Sequence, residues 1–236
     1  MWGLPLSDHL LQLLLPRVCL NCREDLPWPL EGPLCGACLR ELRRPEPACR
    51  RCGRRWEGPS PCRACREALS PVDLVRAAFV YGGPLPRLLH AFKYEGREEA
   101  GRALADWTAQ AFRRTPGFED ADALVPVPLH PSRERARGFN QALGLARALA
   151  RTSGLPVRRA LVRIRPTRPQ WRYGRAARRQ RLRDAFALAE AVGPLRGRVL
   201  VLVDDVATSG GTLETCARVL RAGGARAVKA FVLARS

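Results

Sequence analysis

The stretch VLVLVDDVATSGGT, residues 199–212, runs from five aliphatic residues into two adjacent aspartates and then into small, hydroxylated residues. Five consecutive Val and Leu without polar alternation describe a strand buried on both faces, as in a parallel sheet. In open α/β sheets ligands bind beyond the carboxyl ends of the strands, and Asp204 and Asp205 fall at such an end. The ATSGG loop then leads into a helix starting near Thr212, so backbone N–H groups and the helix dipole converge on one point. This is an anion site suited to a phosphate, with the hydroxyls of Thr208, Ser209 and Thr212 as further donors. It lacks the Gly-Lys-Ser/Thr ending of a nucleotide P-loop, which argues against ATP or GTP hydrolysis. Two carboxylates beside a phosphate cradle would repel its ligand unless they face something else. Vicinal sugar hydroxyls with a divalent cation nearby satisfy them, so a phosphorylated ribose fits the stretch.

Outward from this strand the chain alternates strand and helix. LVRAAFVYGG reads as a strand, with helices near 84–93 and 98–114 behind it. ADALVPVP is a second buried strand, and GFNQALGLARALAR an amphipathic helix. A strand near 160–164 enters an arginine-rich stretch, and ARAVKAFVLAR follows the helix TLETCARVLRA, which Gly223 and Gly224 terminate. The expectation is an α/β fold, a parallel sheet with helices on both faces. It would occupy residues 69–236, after a helical segment at 1–18 and a small cysteine-rich domain at 19–68. The apolar run at the N-terminus is interrupted by Asp8, His9 and Gln12 and has no basic residue before it, so a secretory signal is not expected. No stretch is long enough to span a bilayer, and a cytoplasmic protein is the expectation.

Eight of the nine cysteines form four CxxC pairs, Cys19/Cys22, Cys35/Cys38, Cys49/Cys52 and Cys62/Cys65, separated by 12, 10 and 9 residues. Pairs repeated at this spacing read as two structural zinc sites, because one tight turn aims two thiolates at one tetrahedral metal. The segment is rich in Pro, Gly and Arg and poor in aliphatics. Metal binding would therefore supply its folding free energy, on the order of 10 kcal/mol per site. Sequential pairing is the simplest arrangement, and a crossed one satisfies the same spacing.

The formal net charge is +19, and 39 of the 41 basic residues are arginines, a bias that a GC-rich genome also produces. Its distribution carries more meaning. Residues 130–183 hold 16 Arg against the single acid Glu134, so almost the whole excess sits in one window. Nine of these arginines lie in RIRPTRPQWRYGRAARRQRLR, interleaved with Trp171 and Tyr173. That pattern fits a track for single-stranded nucleic acid, with bases on Trp171 and Tyr173 and phosphates on Arg175, Arg178, Arg179 and Arg181. A solvated basic helix starting near Arg175 is the competing reading. Cys216 reads as a core cysteine, and His90 and His130 have no partners at readable spacing.

The strand-and-loop stretch resembles the motif that binds 5-phosphoribosyl 1-pyrophosphate (PRPP) in type I phosphoribosyltransferases. Taken in order, the four CxxC pairs, FKYEGR, VPVPLHPSRERARGFNQ and the PRPP motif resemble the ComF family of competence-related proteins over nearly the full length. The resemblance implies that Asp204 and Asp205, the residues assigned to the reacting ribose, hold its hydroxyls together with magnesium. It assigns the 5′-phosphate to Ala207, Thr208, Ser209, Gly210, Gly211 and Thr212. It implies a pyrophosphate loop at Leu129 to Arg133 with Arg133 facing the leaving group, and Arg137, Asn140 and Gln141 at or near the next helix start, although Asn140 also reads as a plain cap. Lys93, in FKYEGR, reads equally as a phosphate contact or a surface lysine. The arginine stretch matches the flexible loop that closes over PRPP in such enzymes.

Two functions follow. Transfer from PRPP passes through a cation-like sugar and needs positioned charges without a dedicated nucleophile, so the acceptor is not legible in the residues. An active transferase of nucleotide metabolism is one reading. A PRPP-binding protein of DNA uptake, contacting single-stranded DNA and a protein of the competence machinery, is the favoured one. Family members linked to gluconate uptake or iron–sulfur assembly supply a minority reading.

Overall fold

The computed structural model describes residues 17–26, 32–165, 184–190 and 193–236. Two compact units emerge. One joins the described residues up to Arg43 with Gly82–Leu104, and the other joins Arg44–Tyr81 with Ala105–Ser236.

The first unit holds α1 (Gly36–Arg40), and the second holds α2 (Arg63–Glu67) and β1 (Leu74–Val80). Helix α3 (Leu85–Tyr94) returns to the first unit, and the boundary falls inside α4 (Glu98–Arg114). In α3 the apolar residues recur at helical spacing, and Leu85, Leu88, Leu89 and Ala91 are buried. Where α3 and α4 approach, Gly101 is required, because a Cβ there would lie 2.3 Å from the Phe92 ring.

The remaining elements are β2 (Ala123–Pro126), α5 (Pro131–Arg137), α6 (Gln141–Ser153), β3 (Leu161–Arg163), β4 (Phe186–Leu188), β5 (Val199–Ala207), α7 (Gly211–Ala222) and β6 (Ala227–Arg235). The expected parallel sheet is present, four strands in the order β1-β6-β5-β2, all neighbours parallel. Strands β3 and β4 form a separate antiparallel pair. Val199 to Val203 are buried without alternation, as expected of a strand covered on both faces. On one face Leu200 and Leu202 join Val125, Ala142, Leu213, Cys216 and Ala217 in a single core. On the other, Phe231 stands edge-on to Phe112, centroids 5.0 Å apart at 77°, and to Phe118, 5.7 Å at 84°. No helix among the described residues is long and apolar enough to cross a membrane.

The turn expected at 129–133 is in part helical. Pro131 takes the first helical position of α5, and His130 caps it, its Nδ1 accepting from the Ser132 amide at 3.3 Å. Asn140 caps α6 as its alternative reading had it. Its Oδ1 accepts from the amides of Ala142 and Leu143, at 2.9 and 3.4 Å, and its Nδ2 donates to Val127 O.

Phe231 is fully buried and edge-packed on two rings. Phe231→Ala is therefore expected to cost about 3–5 kcal/mol of stability in urea unfolding. A loss below about 1 kcal/mol would mean that the rings do not form a packed cluster.

Candidate functional site

The carboxyl end of β5 carries the two aspartates, both half-buried. Each carboxylate turns back on the chain. Asp204 Oδ1 accepts from the Asp205 amide at 2.8 Å, and Asp205 Oδ1 accepts from the Val206 amide at 2.7 Å. These short-range bonds hold the side chains at the strand end, and Asp204 lies close enough for its charge to act on Arg163 and Cys216. After Ala207, residues 208–210 turn through the left-handed backbone of Gly210, at φ 84°, into α7. Gly210 contributes no capping side chain, so the first-turn amides and the positive end of a twelve-residue helix lie behind the loop. The helix begins at Gly211, one residue before the expected start. Asp204, Asp205, Ala207, Thr208, Ser209, Gly210, Gly211 and Thr212 thus stand together on one strand–loop–helix turn.

Arg133 is half-buried on α5, and its charge reaches Arg163 on β3. Burial first, and then Arg133, hold the Arg163 guanidinium below the usual arginine value, while Cys216 and Asp204 act in the opposite sense. Arg163 Cζ also sits 5.3 Å from the centroid of the Phe186 ring. Arg163 is a site residue that the sequence does not single out from its arginine-rich surroundings. A second is Arg235 at the end of β6, buried, with Nη1 donating to Ala207 O at 3.0 Å and Thr208 O at 2.8 Å. Gln141 is buried at the first position of α6, and its Nε2 has no hydrogen-bond partner among the described residues. Lys93 belongs to the other compact unit, half-buried in the last turn of α3. Trp171, Tyr173, Arg175, Arg178, Arg179 and Arg181 lie outside the described residues. Burial, with Asp204 adding to it, pushes the Cys216 thiol well above its usual value, as suits a core cysteine.

The eight cysteines resolve into two sequential clusters, Cys19, Cys22, Cys35 and Cys38 in one and Cys49, Cys52, Cys62 and Cys65 in the other. Within each, the four sulfurs lie within 4.8 Å of one another. Tetrahedral zinc with Zn–S of about 2.3 Å requires sulfurs about 3.8 Å apart. The Cys22–Cys35 and Cys52–Cys62 pairs stand at 3.6 and 3.8 Å, so the donor sets fit zinc. The local code is written twice. A knuckle closes from residue 23 to Cys19 O and from residue 53 to Cys49 O, each through a left-handed residue, Arg23 at φ 70° and Gly53 at φ 65°. A five-residue helix then starts directly after Cys35 and after Cys62. Burial opposes ionisation of Cys19 and Cys49, yet amides aimed at their sulfurs bring both down to about 6, while burial and neighbouring thiols push Cys52 and Cys65 up.

A family model described as "Double zinc ribbon domain" matches residues 10–66, and one described as "Phosphoribosyl transferase domain" matches residues 137–236. "DNA utilization protein YhgH" of Salmonella typhimurium is 33% identical over 229 residues, 95% of this chain and 99% of that protein. "Competence protein F" of Haemophilus influenzae is 32% identical over 223 residues, 92% of this chain and 96% of that one. "Competence protein ComFC" of Bacillus subtilis is 29% identical over 238 residues, 93% and 95% of the two chains. A parallel sheet of the phosphoribosyltransferase type with cysteine clusters of the zinc-ribbon type defines the class. Within that class, the full-length relatives show that this chain belongs to the ComF family.

Sequential clustering makes zinc loss separable. Cys22→Ser with Cys35→Ser is expected to lower elemental zinc from two ions per chain to one. Cys22→Ser with Cys52→Ser should weaken both sites instead. Equal zinc content in the two double variants would overturn the sequential assignment.

Proposed function

We propose that this chain is a PRPP-binding protein that handles DNA, contacting single-stranded DNA through its arginine-rich segment. The observation that carries the PRPP reading is the turn from β5 into α7, two carboxylates and a small-residue loop ahead of a helix N-terminus. In this reading the 5′-phosphate takes the amides and hydroxyls of residues 207–212, and Asp204 and Asp205 face the ribose hydroxyls. Arg133 and Arg163 supply positive charge on the leaving-group side. The carboxylate oxygens of Asp204 and Asp205 are hard donors that suit magnesium, which would offset pyrophosphate charge when bound. The full-length relatives named for competence and DNA utilization support the DNA-handling role. Transfer of the phosphoribosyl group is a second reading, favoured by the completeness of the loop. In it the protein's work is positioning and electrostatic stabilisation of a cation-like sugar.

Asp204→Asn with Asp205→Asn should lower PRPP affinity while the protein stays folded. The expected loss is about 1.5–3 kcal/mol per charged hydrogen bond, roughly ten- to a hundredfold each in calorimetric titration with magnesium. An unchanged affinity in the folded double variant would remove the ribose assignment.

The arginine segment should bind single-stranded DNA with a steep salt dependence, a log–log slope near −3.5 if about five phosphates are neutralised. Trp171→Ala should cost about 1–3 kcal/mol and leave that slope unchanged, since stacking releases no counterions. A shallow slope together with an inert Trp171→Ala returns the segment to an arginine-rich surface.

A further inference from the structure

A cleft of about 290 Å³ opens beside β1, the edge strand of the sheet. Its walls are the chain from Arg44 to Gly53, residues 76–78 of β1, and the end of α4 with the two residues after it, all within one compact unit. Strand β6 separates β1 from β5, and the cleft shares no residue with the turn from β5 into α7. Four lining residues are arginines, Arg44, Arg50, Arg76 and Arg114, and one is an acid, Glu46. Among the described residues none of the four arginines forms an ion pair, with Glu46 or with any other acid. Arg87 shows the contrast, its fork holding both carboxylate oxygens of Glu95 at 2.6 and 3.1 Å.

One wall is stiff. The Val75 amide donates to Arg51 O at 2.8 Å, and a Cβ at Gly53 would meet Val75 O at 2.4 Å, so the ribbon backbone lies directly on β1. Arg76 Nη1 donates to Arg50 O and to Val75 O, both at 2.9 Å, which fixes its half-buried guanidinium at that seam. Its Nε and Nη2 make no bond among the described residues and remain as donors. Arg44, Arg50 and Arg114 are exposed, and their side chains make no hydrogen bond among the described residues. Thr115 Oγ1 donates to Ala111 O at 2.7 Å, which leaves the arginines to meet a ligand. Like charges around one concavity raise the local concentration of anions.

We propose that this cleft is a contact for the phosphodiester backbone of single-stranded DNA, separate from the arginine-rich segment and from the PRPP site. The inference rests on the DNA-handling reading above. Guanidinium forks pair phosphate oxygens two at a time, a geometry that lysine does not offer. Besides the charged residues and Thr115, the lining is Ala, Gly and Pro, with no aromatic ring. Pockets that enclose small molecules run from about 300 to 1,000 Å³ and are mostly apolar or aromatic, so this cleft is small and wrongly walled for a whole nucleotide. Without a ring to stack on, bases are not gripped. The strand is held by its phosphates, and its sequence is not read. Glu46 opposes this binding, since its carboxylate lines the same surface.

The test measures affinity of the full-length, zinc-loaded protein for a labelled oligothymidine by fluorescence anisotropy over a salt series. Arg44→Gln with Arg50→Gln and Arg114→Gln removes side chains that make no bond within the fold, so zinc content and Tm should hold. This cleft triple should bind about tenfold or more weakly at about 0.1 M salt and flatten the log–log slope by about 2, three phosphates at about 0.7 each. Its PRPP affinity should equal that of the wild type. Arg102→Gln with Arg147→Gln and Arg196→Gln, three exposed arginines that do not line the cleft, removes the same charge and should leave the slope near the wild-type value. Glu46→Gln should tighten binding about two- to fivefold, a gain that damage to the fold would not produce. Equal losses in the two triples, or unchanged DNA affinity in both the cleft triple and Glu46→Gln, overturn this inference and leave the DNA reading standing. A matching loss of affinity for polyglutamate makes the cleft a general polyanion surface and overturns it as well. So does binding of inorganic pyrophosphate that the cleft triple abolishes while DNA affinity is unchanged. If the cleft triple does not fold, Glu46→Gln decides alone, and the absence of a gain overturns the inference. A wild type that binds no single-stranded DNA overturns the DNA reading and this inference together.

Discussion

Everything at the carboxyl end of the sheet depends on the parallel pairing of β5 with β6, held from Val199 beside Ala227 to Ala207 beside Arg235. A slip of one residue would turn Leu200 and Leu202 away from their core and exchange the faces of Asp204 and Asp205. The register is fixed because both faces of β5 are covered, so neither face tolerates the exchange. The same register brings Arg235 alongside Ala207, where its guanidinium meets the loop carbonyls. Core packing and site geometry are thus one constraint.

The cysteine clusters obey a different one. Around residues 17–26 and 48–65 the buried groups are mostly sulfurs and a few leucines, too little apolar surface to hold a fold. Amides aimed at sulfur help to order them, in donor sets whose spacing fits a tetrahedral metal. The Cys62 amide points at Cys49 Sγ at 3.3 Å, and Asn21 Nδ2 at Cys38 Sγ at 3.3 Å. The two clusters share a local code yet belong to different compact units. The second forms a seam with the sheet of its own unit, through Arg51, Gly53 and Arg76.

Much of this was legible because it is local. The unbroken aliphatic run of β5, the small loop behind it and the CxxC turns each carry their reason within a few residues. The pairing of the cysteines was not legible, because gaps of 12, 10 and 9 residues let any knuckle reach any other. Mutual distance decides it. Helix α5 was missed because a histidine cap is a weak signal beside Ser, Thr, Asp or Asn. Arg163 and Arg235 were missed for another reason. Each acquires its role through strand pairing, one beside β4 and one beside β5, and nothing in their own neighbourhood of sequence marks them.

Composition says least where it is most extreme. With 39 arginines in the chain, the residue type carries almost no information, and meaning returns only with what each fork reaches. Arg221 grips both carboxylate oxygens of Asp73 at 2.7 and 2.6 Å and also donates to Pro71 O, tying α7 to the entrance of β1. Arg198 pairs with Asp122 across the start of β5 and β2, where Asp122 also accepts from the Val199 amide. Those two are staples at the amino ends of the strands, far along the sheet from the loop. Arg133, Arg163 and Arg235 stand at or toward the opposite end, and Arg235 donates to the carbonyls of Ala207 and Thr208. Arginines already matched to acids stabilise the fold. Arg235, set against the carbonyls of Ala207 and Thr208, braces the turn that follows β5 instead, so one residue type plays different parts at the two ends of one sheet.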